Sequence, residues 1–145
     1  MRVLAASMIV ALLCCSYSPA RANGAAPVSV ADRQVIEHVI TSQLDAFHQD
    51  AGDAAFGFAS PNIQAMFGDA PRFMAMVREA YPPVYRWRSF TFGQLTTTSE
   101  RVVQNVMLVG PDGAAALALY TMERQQDGTW RIDGCALTKP NGLSI

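Results

Sequence analysis

Two histidines, His38 and His48, are candidates for a metal site or a general base. Asp45 and His48 are three residues apart, so they would be neighbours on a helix. A zinc site needs further converging His, Cys or carboxylate ligands, and neither His38 nor His48 has them at a suitable spacing. The chain also lacks a glycine-rich phosphate loop, a GxSxG elbow and an HExxH motif. We therefore expect two surface histidines, no metal and no cofactor.

Arg86 and Arg88 flank Trp87 and would lie on one face of a strand. Two guanidinium groups on one face can bind an anionic ligand, because arginine pairs well with carboxylates. Glu100 or Glu123 on a neighbouring strand can instead neutralise them across the sheet. The pattern favours this structural role.

Composition and charge exclude several classes of partner. The chain has 145 residues, of which 50% are hydrophobic, and a formal net charge of −1. This composition is typical of one globular domain. No concentrated Lys/Arg patch is present, so we expect no nucleic-acid partner.

The N-terminus is typical of a bacterial export signal. Arg2 precedes an apolar run from residue 3 to 15, which is shorter than the roughly 20 residues that span a bilayer. Ala20-Arg21-Ala22 then offers the small side chains that signal peptidase requires. We predict a signal peptide over residues 1–22, cleaved between Ala22 and Asn23, and a periplasmic or secreted protein with no membrane attachment. Cys14 or Cys15 as a lipidated residue fits poorly, because no small residue precedes either of them as a lipidation signal requires.

Cys135 would be the only thiol after cleavage. An exported protein with one cysteine has no internal disulfide. The thiol can act in redox chemistry or form an intermolecular disulfide. Free cysteine more often behaves as a small buried hydrophobe, which is the role we favour.

The first half of the mature chain has helical patterns. Residues 23–32 are predicted to be a flexible lead-in, and Ser29 with Asp32 resembles a capping box for a helix that ends near Gln49. Short helices should follow with Asp53, Ser60 and Asp69 as caps. The expected interior is rich in Phe and Met: Phe56, Phe58, Met66, Phe67, Phe73, Met74, Met76, Met107 and Met122.

The second half has the period-two pattern of strands. Strands are predicted over residues 85–96, with a bulge at Gly93, and over 101–109, 114–125 and 130–138. Short turns between them predict an antiparallel meander, and the helices come first, so the fold class is α+β. Both faces of the third strand are apolar, so each face must be shielded from water by another structure.

Several local patterns together resemble a bacterial family known as domain of unknown function 4864. They are Ser60-Pro61, Phe73-Met74, the residues from Tyr81 to Arg86, Tyr120-x-Met122 and Trp130-x-Ile132-x-Gly134-Cys135. The order of elements resembles the nuclear transport factor 2-like superfamily. This resemblance implies a single domain over residues 33–139, followed by a tail over 140–145, in which helices pack on a curved four-stranded antiparallel sheet to form a cone with an apolar cavity. It also implies homodimers formed through the outer face of the sheet.

The resemblance implies two alternative roles. The favoured role is a non-catalytic domain that binds a small apolar or amphipathic ligand or forms a dimeric interaction module, with a cavity predicted from Phe73, Val77, Tyr85, Tyr120, Met122 and Trp130. The alternative is a cofactor-free isomerase or lyase in which Asp133 moves a proton and Tyr120 or Tyr85 assists. Strand parity places Asp133 and Cys135 opposite to Trp130 and Ile132, so a solvated or Arg-paired Asp133 is favoured.

Overall fold

In the computed structural model, helices precede a single sheet, which confirms the α+β prediction. The model describes residues 28–98 and 101–140. The helices are α1 Val30–His48, α2 Gly52–Gly57, α3 Pro61–Phe67, α4 Ala70–Ala80 and α5 Pro82–Tyr85, and the strands are β1 Ser89–Thr97, β2 Val102–Val109, β3 Ala115–Arg124 and β4 Trp130–Thr138. The predicted signal peptide and its cleavage site lie outside the described residues. Within the described part of the chain, no helix is long and apolar enough to cross a membrane.

The first helix, α1, begins at the predicted capping box. The Ser29 hydroxyl accepts a hydrogen bond from the Asp32 backbone N–H at 3.0 Å, and the Asp32 carboxylate accepts one from the Ser29 backbone N–H at 3.2 Å. The other oxygen of Asp32 accepts a hydrogen bond from the indole N–H of Trp130 on β4 at 3.0 Å. The cap therefore also ties the start of α1 to the sheet.

Caps also define most of the short helices. The side chains of Ser60 and Asp69 accept hydrogen bonds from backbone N–H groups in the first turns of α3 and α4, as predicted. The prediction that Asp53 caps α2 is wrong, because α2 begins at Gly52 and Ala51 precedes it without a side-chain cap. Asp50 has a positive φ of 54°, which makes a tight turn between α1 and α2, so α2 starts before Asp53.

The first strand begins later than predicted. Prolines fit the first positions of a helix, and Pro82 and Pro83 begin the single turn of α5. The backbone N–H of Tyr85 donates to the Tyr81 carbonyl within this turn, and β1 starts only at Ser89. Tyr85, Arg86 and Arg88 therefore precede the strand on which they were expected.

The sheet is the predicted antiparallel meander, in the order β1-β2-β3-β4. The predicted bulge at Gly93 is confirmed by a register shift between Phe92 and Leu95. A second shift was not predicted: Thr121 pairs with Gly134 and Met122 pairs with Ile132, so Asp133 is an extra residue on β4.

The bulge at Asp133 overturns the parity prediction for Cys135. An extra residue reverses the alternation of side chains along a strand. Trp130 and Ile132 are buried before the bulge, and Cys135 and Leu137 pack against the same core after it. Cys135 therefore lies on the same side of the sheet as Trp130.

The opposite side of the sheet carries a surface that we call the outer patch, made of Val103, Met107, Leu117, Leu119 and Ala136. The register places Met107 opposite Leu117, and Ala136 opposite Leu119. Met107 was expected in the interior but is 40% exposed, because it lies on this side of β2. Among the described residues, none of the helices covers the outer patch.

Candidate functional site

A cavity of about 260 Å³ lies between the helices and the inner face of β3 and β4. Its wall is mostly apolar and includes Phe47, Ile63, Met66, Phe67, Phe73, Met76, Val77, Val84 and Ile132. The side-chain polar groups on the wall come from Gln43, Tyr81, Tyr120 and Cys135. Among the described lining residues there is no Asp, Glu, His, Lys or Arg.

Helix α4 supplies the most rigid part of the wall. Phe73, Met76 and Val77 share one face because they are three or four residues apart. The ring of Phe73 lies 5.3 Å from that of Phe56 and 5.5 Å from that of Phe67, measured between centroids. These aromatic contacts hold the wall in one arrangement.

Helix α3 forms the rim of the cavity. Met66 was expected in the interior but is 73% exposed, since α3 has no buried residue. The Gln64 amide holds the start of α3 by donating to the Phe56 and Ala59 carbonyls at 3.2 and 3.1 Å. Gly68, with a φ of 79°, ends the helix in a conformation that favours glycine. The cavity therefore meets the surface beside a short helix with an exposed methionine.

Tyr120 lies at the floor of the cavity and is fully buried. Its hydroxyl has no hydrogen-bond partner of ordinary geometry among the described residues. Burial raises the pKa of Tyr120 well above its usual value, and the neighbouring Cys135 thiol adds to this effect. The hydroxyl is therefore protonated at neutral pH and can donate a hydrogen bond.

The thiol of Cys135 is also protonated. Burial raises the pKa of Cys135 to about 12, against a smaller lowering effect of Tyr120. The thiolate is the nucleophilic form of cysteine, so this residue is poorly suited to nucleophilic or redox chemistry. Cys135 is a free thiol on the cavity wall, in line with the predicted structural role.

The two other polar residues of the wall have partners within the protein. The Tyr81 hydroxyl donates to the Cys135 carbonyl at 2.8 Å. The Gln43 amide donates to the Ala55 carbonyl at 3.0 Å, which connects α1 to α2 inside the core. Both groups therefore support the wall.

Three of the six predicted cavity residues line this cavity: Phe73, Val77 and Tyr120. Met122 and Trp130 do not line it, because they lie near the β3–β4 turn, where Trp130 is bonded to Asp32 at the start of α1. Tyr85 does not line it either, because α5 directs its hydroxyl to Asp50. Ligand binding by any of the six stays a prediction.

The predicted arginine pair is separated. Arg86 bonds Asp50 at 2.6 Å and the Phe47 carbonyl at 2.7 Å, and its guanidinium lies 3.8 Å from the centroid of the Tyr85 ring. The hydrogen bonds from Tyr85 and then Arg86 lower the pKa of Asp50. Arg88 is exposed. Arg86 thus has a structural role, as favoured, with Asp50 as its partner, while Glu100 lies outside the described residues.

The remaining candidates lie away from the cavity. His38 and His48 are exposed as predicted, and His48 stacks on Trp87 at 4.8 Å. Asp133 accepts a hydrogen bond from the Ser60 hydroxyl at 2.6 Å and does not line the cavity. Across the described residues, no three His, Cys, Asp or Glu side chains are grouped to hold a metal ion.

Sequence reasoning missed two polar wall residues, Gln43 and Tyr81, and only Gln43 had a local signal. Gln43 interrupts the apolar stripe of α1 between Ile40 and Phe47, and a glutamine in that position must find a partner. Tyr81 entered the sequence analysis only as the first residue of a family motif. Its contact with β4 is between distant parts of the chain, which local patterns do not specify.

Comparison with protein families finds a match over residues 29–145, to the model described as Domain of unknown function (DUF4864). A search of curated proteins finds no match. The match spans most of the chain and includes α1, the cavity and all four strands. The chain therefore belongs to the DUF4864 family.

Proposed function

We propose that this protein is an exported, non-catalytic domain of the nuclear transport factor 2-like type that binds a small apolar or amphipathic ligand. The observation that carries this proposal is the apolar cavity between the helices and the inner face of the sheet. An order of helices followed by a four-stranded meander is compatible with the superfamily. The export signal predicted over residues 1–22 supports a role outside the cytoplasm.

The size and chemistry of the cavity favour a small ligand. Its volume of about 260 Å³ lies just below the ordinary range for ligand pockets, roughly 300–1,000 Å³, so the ligand must be small. Apolar walls with a few polar groups are typical of such pockets. The exposed rim at α3 supplies a route of entry.

The alternative role, a cofactor-free isomerase or lyase, has less support. Proton transfer at neutral pH needs a group whose pKa lies near 7 and that reaches the substrate. The cavity wall carries no carboxylate or imidazole among the described residues, and Asp133 is engaged with Ser60. The geometry therefore favours binding over catalysis.

Native mass spectrometry of the full chain expressed with its own leader tests this proposal. Protein recovered from the periplasm should begin at Asn23 and carry a ligand that is released on unfolding. Met76→Trp, which adds bulk at the partly exposed wall, should lose the ligand, and Met107→Trp on the outer patch is the matched control that should keep it. Ligand retention by Met76→Trp, or a bare wild-type protein that also fails to bind added apolar compounds, would refute the proposal.

A second candidate function, homodimerisation, is favoured by the outer patch. Met107 is 40% exposed beside Leu117 and Leu119, and apolar surface of this kind marks interfaces. We expect light scattering to give the mass of a dimer, and Met107→Glu to give a monomer, since a charge would be buried at the interface. A wild-type monomer at every concentration would contradict this candidate.

A further inference from the structure

The Tyr120 hydroxyl differs from the side chains of Tyr81 and Gln43, the two other oxygen- or nitrogen-bearing side chains on the cavity wall that the structure describes. Tyr81 and Gln43 each donate to a backbone carbonyl, whereas the hydroxyl of Tyr120 is buried without a partner of ordinary geometry. Leaving a buried polar group unpaired is unfavourable, so such groups in native proteins usually have a structural or functional explanation.

The neighbour of this hydroxyl is a weak hydrogen-bonding group. Cys135 pairs with Tyr120 across β3 and β4, and both residues line the cavity. A thiol is a poor donor and a poor acceptor, so it leaves most of the bonding capacity of the hydroxyl unused. A stronger acceptor placed in the cavity would therefore displace the thiol as the partner.

We propose that the cavity selects a neutral ligand with a short apolar body and one hydrogen-bond acceptor, such as a ketone, aldehyde or ester carbonyl, and that the Tyr120 hydroxyl donates to this acceptor. This inference rests on the proposed function, because it concerns the same cavity. It adds the class of ligand and the side chain that recognises it. Tyr120 is then a binding residue whose hydroxyl exchanges its weak contact with the Cys135 thiol for a hydrogen bond to the ligand.

The charge of the wall determines that the ligand is neutral. None of the described lining residues carries a charged side chain, so a carboxylate would lose its hydration without gaining a cationic partner. The volume limits the apolar body. At about 30 Å³ for each water-sized group, 260 Å³ holds roughly nine such groups.

Access to the hydroxyl requires a small local movement. Tyr120 has no accessible surface in the ligand-free protein, so a wall side chain must move before the acceptor reaches it. Cys135 is the small side chain beside it, and Met66 of α3 lies at the exposed rim. The variant Cys135→Ala should therefore keep the preference for a carbonyl, and it should strengthen binding if the thiol obstructs the hydroxyl.

Calorimetry with two matched probes tests the assignment. The ketone 2-octanone and the hydrocarbon 2-methyl-1-octene have the same shape, but only the ketone has an acceptor. Tyr120→Phe should weaken ketone binding by about fivefold to tenfold, the effect of one net hydrogen bond, and should change hydrocarbon binding by less than about twofold. Octanoate should bind far more weakly than the ketone. Tyr85→Phe removes a hydroxyl outside the cavity and should leave both affinities unchanged.

The outcomes separate this inference from the proposed function. If both probes bind the wild type and Tyr120→Phe affects them equally, the role of Tyr120 is refuted while the cavity remains the ligand site. Loss of the carbonyl preference in Cys135→Ala would instead assign the donor to the thiol and would also refute the inference. If neither probe binds the wild type, both the proposed function and this inference are refuted.

Discussion

Tyr120→Phe should stabilise the ligand-free protein, which is unusual for a substitution in a buried core. The change removes the Tyr120 hydroxyl oxygen and keeps the ring, so packing against the core is preserved. Because this hydroxyl has no ordinary partner, its loss removes an unpaired buried group that costs about 1–3 kcal/mol. Part of this gain is offset by the small void that remains, so we expect the free energy of unfolding to rise by about 1 kcal/mol.

Tyr81→Phe is the matched comparison. It removes the same atom from a neighbouring tyrosine on the same cavity, but this hydroxyl donates to the Cys135 carbonyl at 2.8 Å. Its loss should lower the free energy of unfolding by about 0.5–1.5 kcal/mol, the usual net value of one hydrogen bond. The two variants should therefore change stability in opposite directions.

Urea unfolding of the ligand-free protein, followed by circular dichroism, measures both changes. A gain of about 1 kcal/mol corresponds to roughly 4 °C in Tm for a domain of this size. Equal destabilisation by Tyr120→Phe and Tyr81→Phe would refute the reasoning, because it would mean that the Tyr120 hydroxyl is bonded inside the fold. Gln104, the residue opposite Tyr120 on β2, has an unpaired side-chain oxygen and would then be a candidate partner.

Three further predictions concern the supports of the cavity. Gln43→Leu should lower the free energy of unfolding by about 0.5–1.5 kcal/mol, since the Ala55 carbonyl would lose the Gln43 amide and keep only the Phe58 N–H at 3.4 Å, and unchanged urea unfolding would contradict this. Hydrogen bonds hold the pKa of Asp32 at about 2, and the bond from Trp130 has the largest effect, followed by those from Ser29. These bonds therefore stabilise the folded protein fully above about pH 4, and this stabilisation is lost as the pH falls toward 2. Trp130→Phe should raise this pKa in an NMR titration, and an unaltered value would be inconsistent with the contact. Burial raises the pKa of Cys135 to about 12, so little reactive thiolate is present at about pH 8. Iodoacetamide should therefore modify Cys135 on the order of a thousandfold more slowly in the folded protein than in the urea-unfolded protein. Equal rates would exclude a buried thiol.

Most of the fold was predictable from local patterns. The capping box at Ser29, the caps at Ser60 and Asp69, and the limits of β4 each depend on residues that are close in sequence. Side-chain capping and alternation act over three or four residues, so the sequence specifies them directly. The start of β1 was predicted too early because aromatic residues near Tyr85 have strand propensity, whereas the two prolines begin a helical turn.

The cavity was only partly predictable, because it depends on contacts between distant parts of the chain. The bulge at Asp133 determines which side of the sheet Cys135 occupies, and nothing in the local alternation reveals it. Tyr85 does not line the cavity, because its hydroxyl donates a hydrogen bond to Asp50, which is 35 positions earlier in the chain. Tyr120 was predicted from its face of the strand, but its unpaired hydroxyl follows from its three-dimensional surroundings.

The most direct test of ligand binding in the cavity is an NMR titration of isotope-labelled protein with 2-octanone. We expect saturable shifts in the backbone amides of the wall, including those of Phe67, Val77 and Ile132, with amides on the outer patch unaffected. Shifts confined to the outer patch, or no shifts at saturating ketone, would contradict a ligand site between the helices and the sheet.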